Sequence, residues 1–252
     1  MELNQIFESL NNKQDIELNK FELALKKALN RLNDLIIANA LNDVKNPLEY
    51  DFKFNQYLQD SGYYDVINNF VDNGLDVVYG DVVAALSIGG VAVAFSKEDI
   101  TKIEAIKRIN LSKFSDLSVP TINKMKDSVY KYSLSNLSLT DITNGLRSSL
   151  IDSDLFKYSG TYANTIISDY TQSVIDLKSS EADGVWIYKG PEDKVTRQFC
   201  NCVLNQKKYY DDSEKSKIQG DKRRAYNCRH IFLLVTEEYA IDNGYTSGSA
   251  SC

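Results

Sequence analysis

An α+β fold is predicted, mostly helical over the N-terminal two-thirds and closed by a small antiparallel β-containing C-terminal module. Three observations predict it. Only 3 prolines and 12 glycines stand among 252 residues, which favours long regular elements over the turn-dense pattern of a β-sandwich. Apolar side chains recur at three- and four-residue spacings as far as residue 178, the mark of amphipathic helices. Beyond Asp183-Gly184 the pattern changes to short runs of β-branched and aromatic residues. A composition of 43% apolar and 25% charged residues excludes disordered, collagen-like and small disulfide-scaffold classes.

The first helix is expected over residues 14–43. Leu18, Phe21, Leu25, Ala28, Leu32 and Leu35 form an a/d seam, and charged residues fill the other faces. Pro47 closes this segment, because residues before a proline avoid the helical region. Residues 49–73 carry Phe52, Phe54, Tyr57, Tyr63, Tyr64 and Phe70 and read as an aromatic-rich helical stretch ended by Gly74. Residues 82–96 are the most apolar run but fall short of the about 18–20 residues that span a bilayer, so a buried helix broken at Gly89-Gly90 is expected. Ser96 and Asp99 then cap a helix over residues 97–110, and a separate helix follows over 121–132. Ser138 or Thr140 caps a short helix reaching about Leu150, and residues 162–178 place Ile166, Tyr170, Val174 and Leu177 on one buried face.

Strands are expected at residues 185–188, 207–210 and 231–235, with a charged loop over 211–224. The resulting partition is a helical region over 1–133, a module over 134–240 and a flexible tail over 241–252 of linker composition.

Charge and residue counts narrow the function. With 29 basic against 35 acidic side chains the net charge is −6, so the counterion release that drives non-specific nucleic-acid binding is not available to the chain as a whole. One histidine, His230, excludes any mechanism that needs two. No targeting segment is visible at the first residues, which points to a cytoplasmic protein. The basic cluster Lys222, Arg223, Arg224 and Arg229 is offset by Asp211, Asp212, Glu214 and Asp221, as expected of a solvated loop.

The four cysteines, Cys200, Cys202, Cys228 and Cys252, all fall in the last fifth of the chain and mark a local feature. Buried thiols packed beside Phe199 are the first reading. A tetrahedral zinc site of Cys200, Cys202, Cys228 and His230 is the second, although a one-residue gap chelates poorly. A Cys200–Cys228 disulfide is the third. A Cys-His catalytic dyad is disfavoured, because no glycine-rich oxyanion turn is present and no helix N-terminus is expected at either cysteine.

Trp186, the Gly190-Pro191-Glu192-Asp193 turn, Thr196-Arg197, Phe199-Cys200 and Asn227-Cys228-Arg229-His230 before an apolar run follow one another in a specific order. Over roughly residues 135–238 this order resembles the phage Mu F-like family of minor head, or head morphogenesis, proteins. The matching positions are Trp186, Asp193, Thr196, Arg197, Phe199, Cys200, Asn227, Cys228, Arg229 and His230. Gln206 stands where that family usually has glycine, and Arg224-Ala225-Tyr226 replaces its prolines and histidine before Asn-Cys-Arg. The resemblance implies a non-enzymatic structural protein of a tailed bacteriophage, located in the virion head or at the portal vertex and in the host cytoplasm during assembly. It implies no cofactor and no membrane. The portal protein is the main partner, the major capsid protein a second, packaged DNA a weak one, and several copies per virion are expected. The alternative is a metal-assisted hydrolase or nuclease-like module using Cys200, Cys228 and His230.

Overall fold

The computed structural model describes residues 3–179, 181–192, 194, 196–220, 228–249 and 251–252. The protein is α+β, helical until a small four-stranded sheet forms near the C-terminus. Helices α1 (Leu3–Lys45), α2 (Tyr50–Asp60), α3 (Tyr63–Asn69) and α4 (Leu75–Ile88) come first. Next are α5 (Lys97–Ser133), α6 (Leu139–Ile151) and α7 (Asp154–Ser179). Then β1 (Val185–Lys189), α8 (Gln198–Asn205), β2 (Lys208–Tyr210), α9 (Asp212–Gly220), β3 (Ile231–Val235), α10 (Glu237–Asp242) and β4 (Thr246–Ser247) complete the chain. Among the described residues, no helix is long and apolar enough to cross a membrane.

Several local expectations are met at their stated positions. Ser96 and Asp99 form a reciprocal capping box at α5, with the Asp99 N–H donating to Ser96 Oγ (3.1 Å) and the Ser96 N–H to Asp99 Oδ2 (2.8 Å). Ser138, rather than Thr140, caps α6 by accepting from the Asp141 N–H at 3.2 Å. Helix α4 stops at Gly89-Gly90, where Gly90 adopts φ +80°.

Other expectations are corrected. No break separates residues 110 and 121: α5 runs through Pro120. A proline there removes one backbone donor, but the next residue fastens the segment. The Thr121 hydroxyl donates to the Leu117 carbonyl (3.0 Å) and accepts from the Leu155 N–H (3.3 Å) at the start of α7. The aromatic stretch does not end at Gly74; a wide helical turn over Phe70–Gly74 leads straight into α4, and the break falls at Gly62 with φ +81°. Over its described part, residues 211–220, the charged segment is not a loop, since Asp211 caps α9 by accepting from the Glu214 N–H at 2.8 Å; residues 221–224 lie outside the described residues. Nor is the tail free, because β4 adds to β2.

Contacts divide the chain into two compact units that do not follow the linear partition. One comprises Met1–Glu17, Asn73–Arg108 and Asn164–Cys252, the other Leu18–Asp72 and Ile109–Ala163. The second unit is all helical. Its core holds Phe21, Phe70 and Phe114 with ring centroids 4.5–6.4 Å apart. The buried stripe of α1 follows Phe21, Leu25, Ala28 and Leu32, then moves to Ile36 and Ala40, leaving Leu35 half-buried. Of the aromatic stretch, Phe54, Tyr57, Tyr63 and Phe70 are core residues, while Phe52 and Tyr64 are exposed.

The first unit contains the sheet, in the order β3-β1-β2-β4. β1 pairs antiparallel with both neighbours, Trp186 opposite Leu234 on one side and Tyr210 on the other. The two-residue β4 pairs parallel to β2, so the sheet is mixed and not wholly antiparallel. β3 is an edge strand, yet all five of its residues are buried. The Gln172 side chain of α7 satisfies its outer edge: Oε1 accepts from the Phe232 N–H (2.8 Å) and Nε2 donates to the Phe232 carbonyl (3.2 Å). A side chain at Gly89 would strike Val235 Cγ1 at 2.7 Å, so glycine lets α4 end directly against β3.

A buried ion pair links α5 to α7 in this unit. Lys178 Nζ lies 2.6 Å from Asp99 Oδ2, with both side chains almost fully buried, and Lys178 also reaches Glu181 at 2.9 Å. The hydrogen bond from Lys178, followed by that from the Ser96 backbone, holds the Asp99 carboxyl down to about 2, below its ordinary 3.8. A carboxyl depressed in the folded state contributes stability that is present above its unfolded value and is lost as pH falls through about 2. Acid titration of stability should therefore show a loss between pH near 3.8 and about 2 that Asp99→Asn flattens. An unchanged acid limb in Asp99→Asn would contradict the pairing.

Candidate functional site

The residues singled out for chemistry converge where α8 and the start of β3 meet β1. Trp186 and Tyr188 lie two apart on β1, so both project to the same side of the strand. After β1 the chain turns through Gly190-Pro191, and the Pro191 carbonyl accepts two donors: the Thr196 hydroxyl at 2.8 Å and His230 Nε2 at 3.0 Å. Arg197 is the N-cap residue of α8, with extended backbone, and is exposed. Phe199 and Cys200 follow inside the helix, both buried. They are therefore helical and not part of a β-type segment, and Cys200 occupies the first helical turn against expectation.

Three of the four proposed metal ligands come together. Cys200 Sγ and Cys228 Sγ are 3.8 Å apart, and Cys228 Sγ is 3.8 Å from His230 Nδ1. All three ligand atoms lie within 4.8 Å of one another. Cys202 does not join them: it forms a disulfide with Cys252. The reason is helical geometry. Cys200 and Cys202 are two apart on α8, and residues at that spacing point to different sides of a helix. The proposed four-ligand set is thus reduced to Cys200, Cys228 and His230, and no disulfide joins Cys200 to Cys228.

Tyr188 covers this group. Its hydroxyl donates to Cys200 Sγ at 3.5 Å and lies 3.8 Å from Cys228 Sγ, while its ring stacks on the His230 imidazole at 5.5 Å and 11°. The other side of the imidazole is backed by Gly190, where an added Cβ would sit 2.3 Å from His230 Cδ2. A carbonyl can only accept, so the contact with Pro191 places a hydrogen on His230 Nε2, and Nδ1 faces Cys228. The hydrogen bond with Cys228, and then burial, push the Cys200 thiol well above its usual range. A thiol so held is a poor nucleophile.

The Tyr188 contribution had no advance signal beyond its place in a strand two residues after Trp186. The roles expected of Asp193 and Asn227, and of the basic residues Lys222, Arg223 and Arg224, lie outside the described residues. Arg229 is half-buried between Cys228 and His230. The turn after α8 places Lys207, not Gln206, in the left-handed region at φ +46°.

Comparison with known proteins found no matching family model, no matching curated protein and no matching solved structure.

Proposed function

We propose that this chain is a structural minor head protein of a tailed bacteriophage, bound at the portal vertex or inner capsid wall and acting in head assembly or DNA delivery. The observation that carries this reading is the ordered series Trp186, Asp193, Thr196-Arg197, Phe199-Cys200 and Asn227-Cys228-Arg229-His230, with its resemblance to Mu F-like proteins. Physical chemistry supports it from two directions. A net charge of −6 favours protein partners over a DNA-coating role. Leu48 and Phe52, 86% and 77% exposed, give the helical unit apolar surface to bury against such a partner. The a/d seam of α1 is not that surface, because it is consumed by the unit's own core. The portal protein is the main partner and the major capsid protein a second, with several copies of this chain in each virion.

Co-expression with a cognate portal protein, followed by size-exclusion chromatography, tests the reading. The expected result is co-elution of the two chains as one complex. A portal that never co-elutes with this chain while co-purifying with a different minor protein would sink it. Hydrolysis of a phosphodiester or peptide substrate by the metal-loaded full chain, lost in His230→Ala, would instead promote the hydrolase reading.

A further inference from the structure

We infer that Cys200, Cys228 and His230 form a zinc site that fastens α8 to the start of β3. This does not rest on the head-protein reading. Three observations carry it. The first is metric. A tetrahedral zinc with Zn–S near 2.3 Å and Zn–N near 2.0–2.1 Å holds two sulfurs about 3.8 Å apart and a sulfur and nitrogen about 3.5 Å apart. The corresponding separations in the protein are 3.8 Å for the sulfur pair and 3.8 Å from Cys228 Sγ to His230 Nδ1, with all three ligand atoms within 4.8 Å of one another, so a small closure completes the metal geometry.

The second observation is the orientation of the imidazole. A histidine that ligates through one nitrogen characteristically donates its other N–H to a carbonyl or carboxylate, which sets the tautomer and aims the lone pair. His230 has this arrangement: Nε2 donates to Pro191, the ring is held between Tyr188 and the bare Cα of Gly190, and Nδ1 faces the sulfurs.

The third is the environment of the sulfurs. The Tyr188 hydroxyl reaches both of them, and a phenol donor next to a pair of thiolates supports them as it would an isolated anion. On binding, each thiol coordinates as a thiolate and its proton leaves to solvent. Two thiolates and an imidazole suit zinc and disfavour hard cations such as calcium and magnesium. The three side chains supply three corners of the tetrahedron, the fourth falling to water or another donor.

Zinc analysis of the full chain, expressed in zinc-supplemented medium and dialysed without chelator, should find one ion per chain. Cobalt(II) added to the zinc-stripped chain should give the thiolate-to-cobalt charge-transfer band and the strong visible bands of a tetrahedral site. Tyr188→Phe should keep that spectrum and weaken cobalt affinity roughly 10–100-fold, the usual loss when a donor to a metal ligand is removed. The double variant Cys202→Ser/Cys252→Ser should retain full stoichiometry, because those sulfurs pair with each other and not with the cluster. The inference is overturned by a chain that binds no metal while Cys200 and Cys228 remain alkylatable. It is overturned equally by a Cys200–Cys228 disulfide in the native protein, or by zinc retained undiminished in Cys200→Ser/Cys228→Ser.

Discussion

Trp186→Ala is expected to lower the unfolding free energy by about 3–5 kcal/mol, the range for emptying a fully buried aromatic site. Trp186, the second residue of β1, is 1% exposed. The indole N–H donates to Asp212 Oδ1 at 2.7 Å, and Lys215 Nζ lies 3.4 Å from the ring centroid. Lys215 in turn pairs with Asp176 of α7 at 2.5 Å. Truncation therefore removes core area, breaks the hydrogen bond to Asp212 and takes the aromatic face away from a buried ammonium. Guanidinium unfolding followed by far-ultraviolet circular dichroism gives the value. A loss under 1 kcal/mol would mean that α9 does not seat on the sheet through this ring.

Breaking the Cys202–Cys252 bridge should rank beside it. The bridge closes a separation of 50 residues, for which the chain-entropy account gives about 4 kcal/mol. Cys202→Ser, or reduction of the wild-type chain, should release the tail to limited proteolysis and lower the denaturation midpoint accordingly. Once the bridge is gone, the tail is held by contacts such as the short parallel pairing of Lys208 with Thr246 and Tyr209 with Ser247, Lys208 Nζ on the Ser249 carbonyl at 2.6 Å and the Ser251 N–H on Gln206 Oε1 at 3.4 Å. Two residue pairs are a weak clasp. Free alkylation of Cys252 in the unreduced protein would contradict the bridge. A reducing cytoplasm would keep it open during synthesis.

The fold class was legible in advance because its signals are local. The Ser96/Asp99 and Ser138 caps satisfy donors within one turn, the short runs at Val185, Lys208 and Ile231 are rich in β-branched and aromatic residues or wholly apolar, and Gly89-Gly90 stops α4. The break expected between residues 110 and 121 did not occur for the opposite reason: α5 continues through Pro120, and one contact that fastens this stretch, the Leu155 N–H on the Thr121 hydroxyl, comes from 34 positions further along. The charged run in α9 has too little hydrophobic periodicity to announce a helix, and packing of Ile218 and Lys215 against the sheet stabilises it.

For the candidate site, composition alone brought forward Cys200, Cys228 and His230, and alternation along an extended chain placed the last two on one side. What remained was a choice among partners. Four cysteines allow several pairings, and spacing does not rank them. The tertiary structure decided it by putting Cys200 and Cys202 on one helix, where a two-residue step turns their side chains in different directions. One then faces Cys228, and the other faces the returning C-terminus. Periodicity, capping and composition act within a turn or a strand and can be read from the chain. Which sulfur meets which depends on where a helix of eight residues sits on a sheet, and only the packed core sets that.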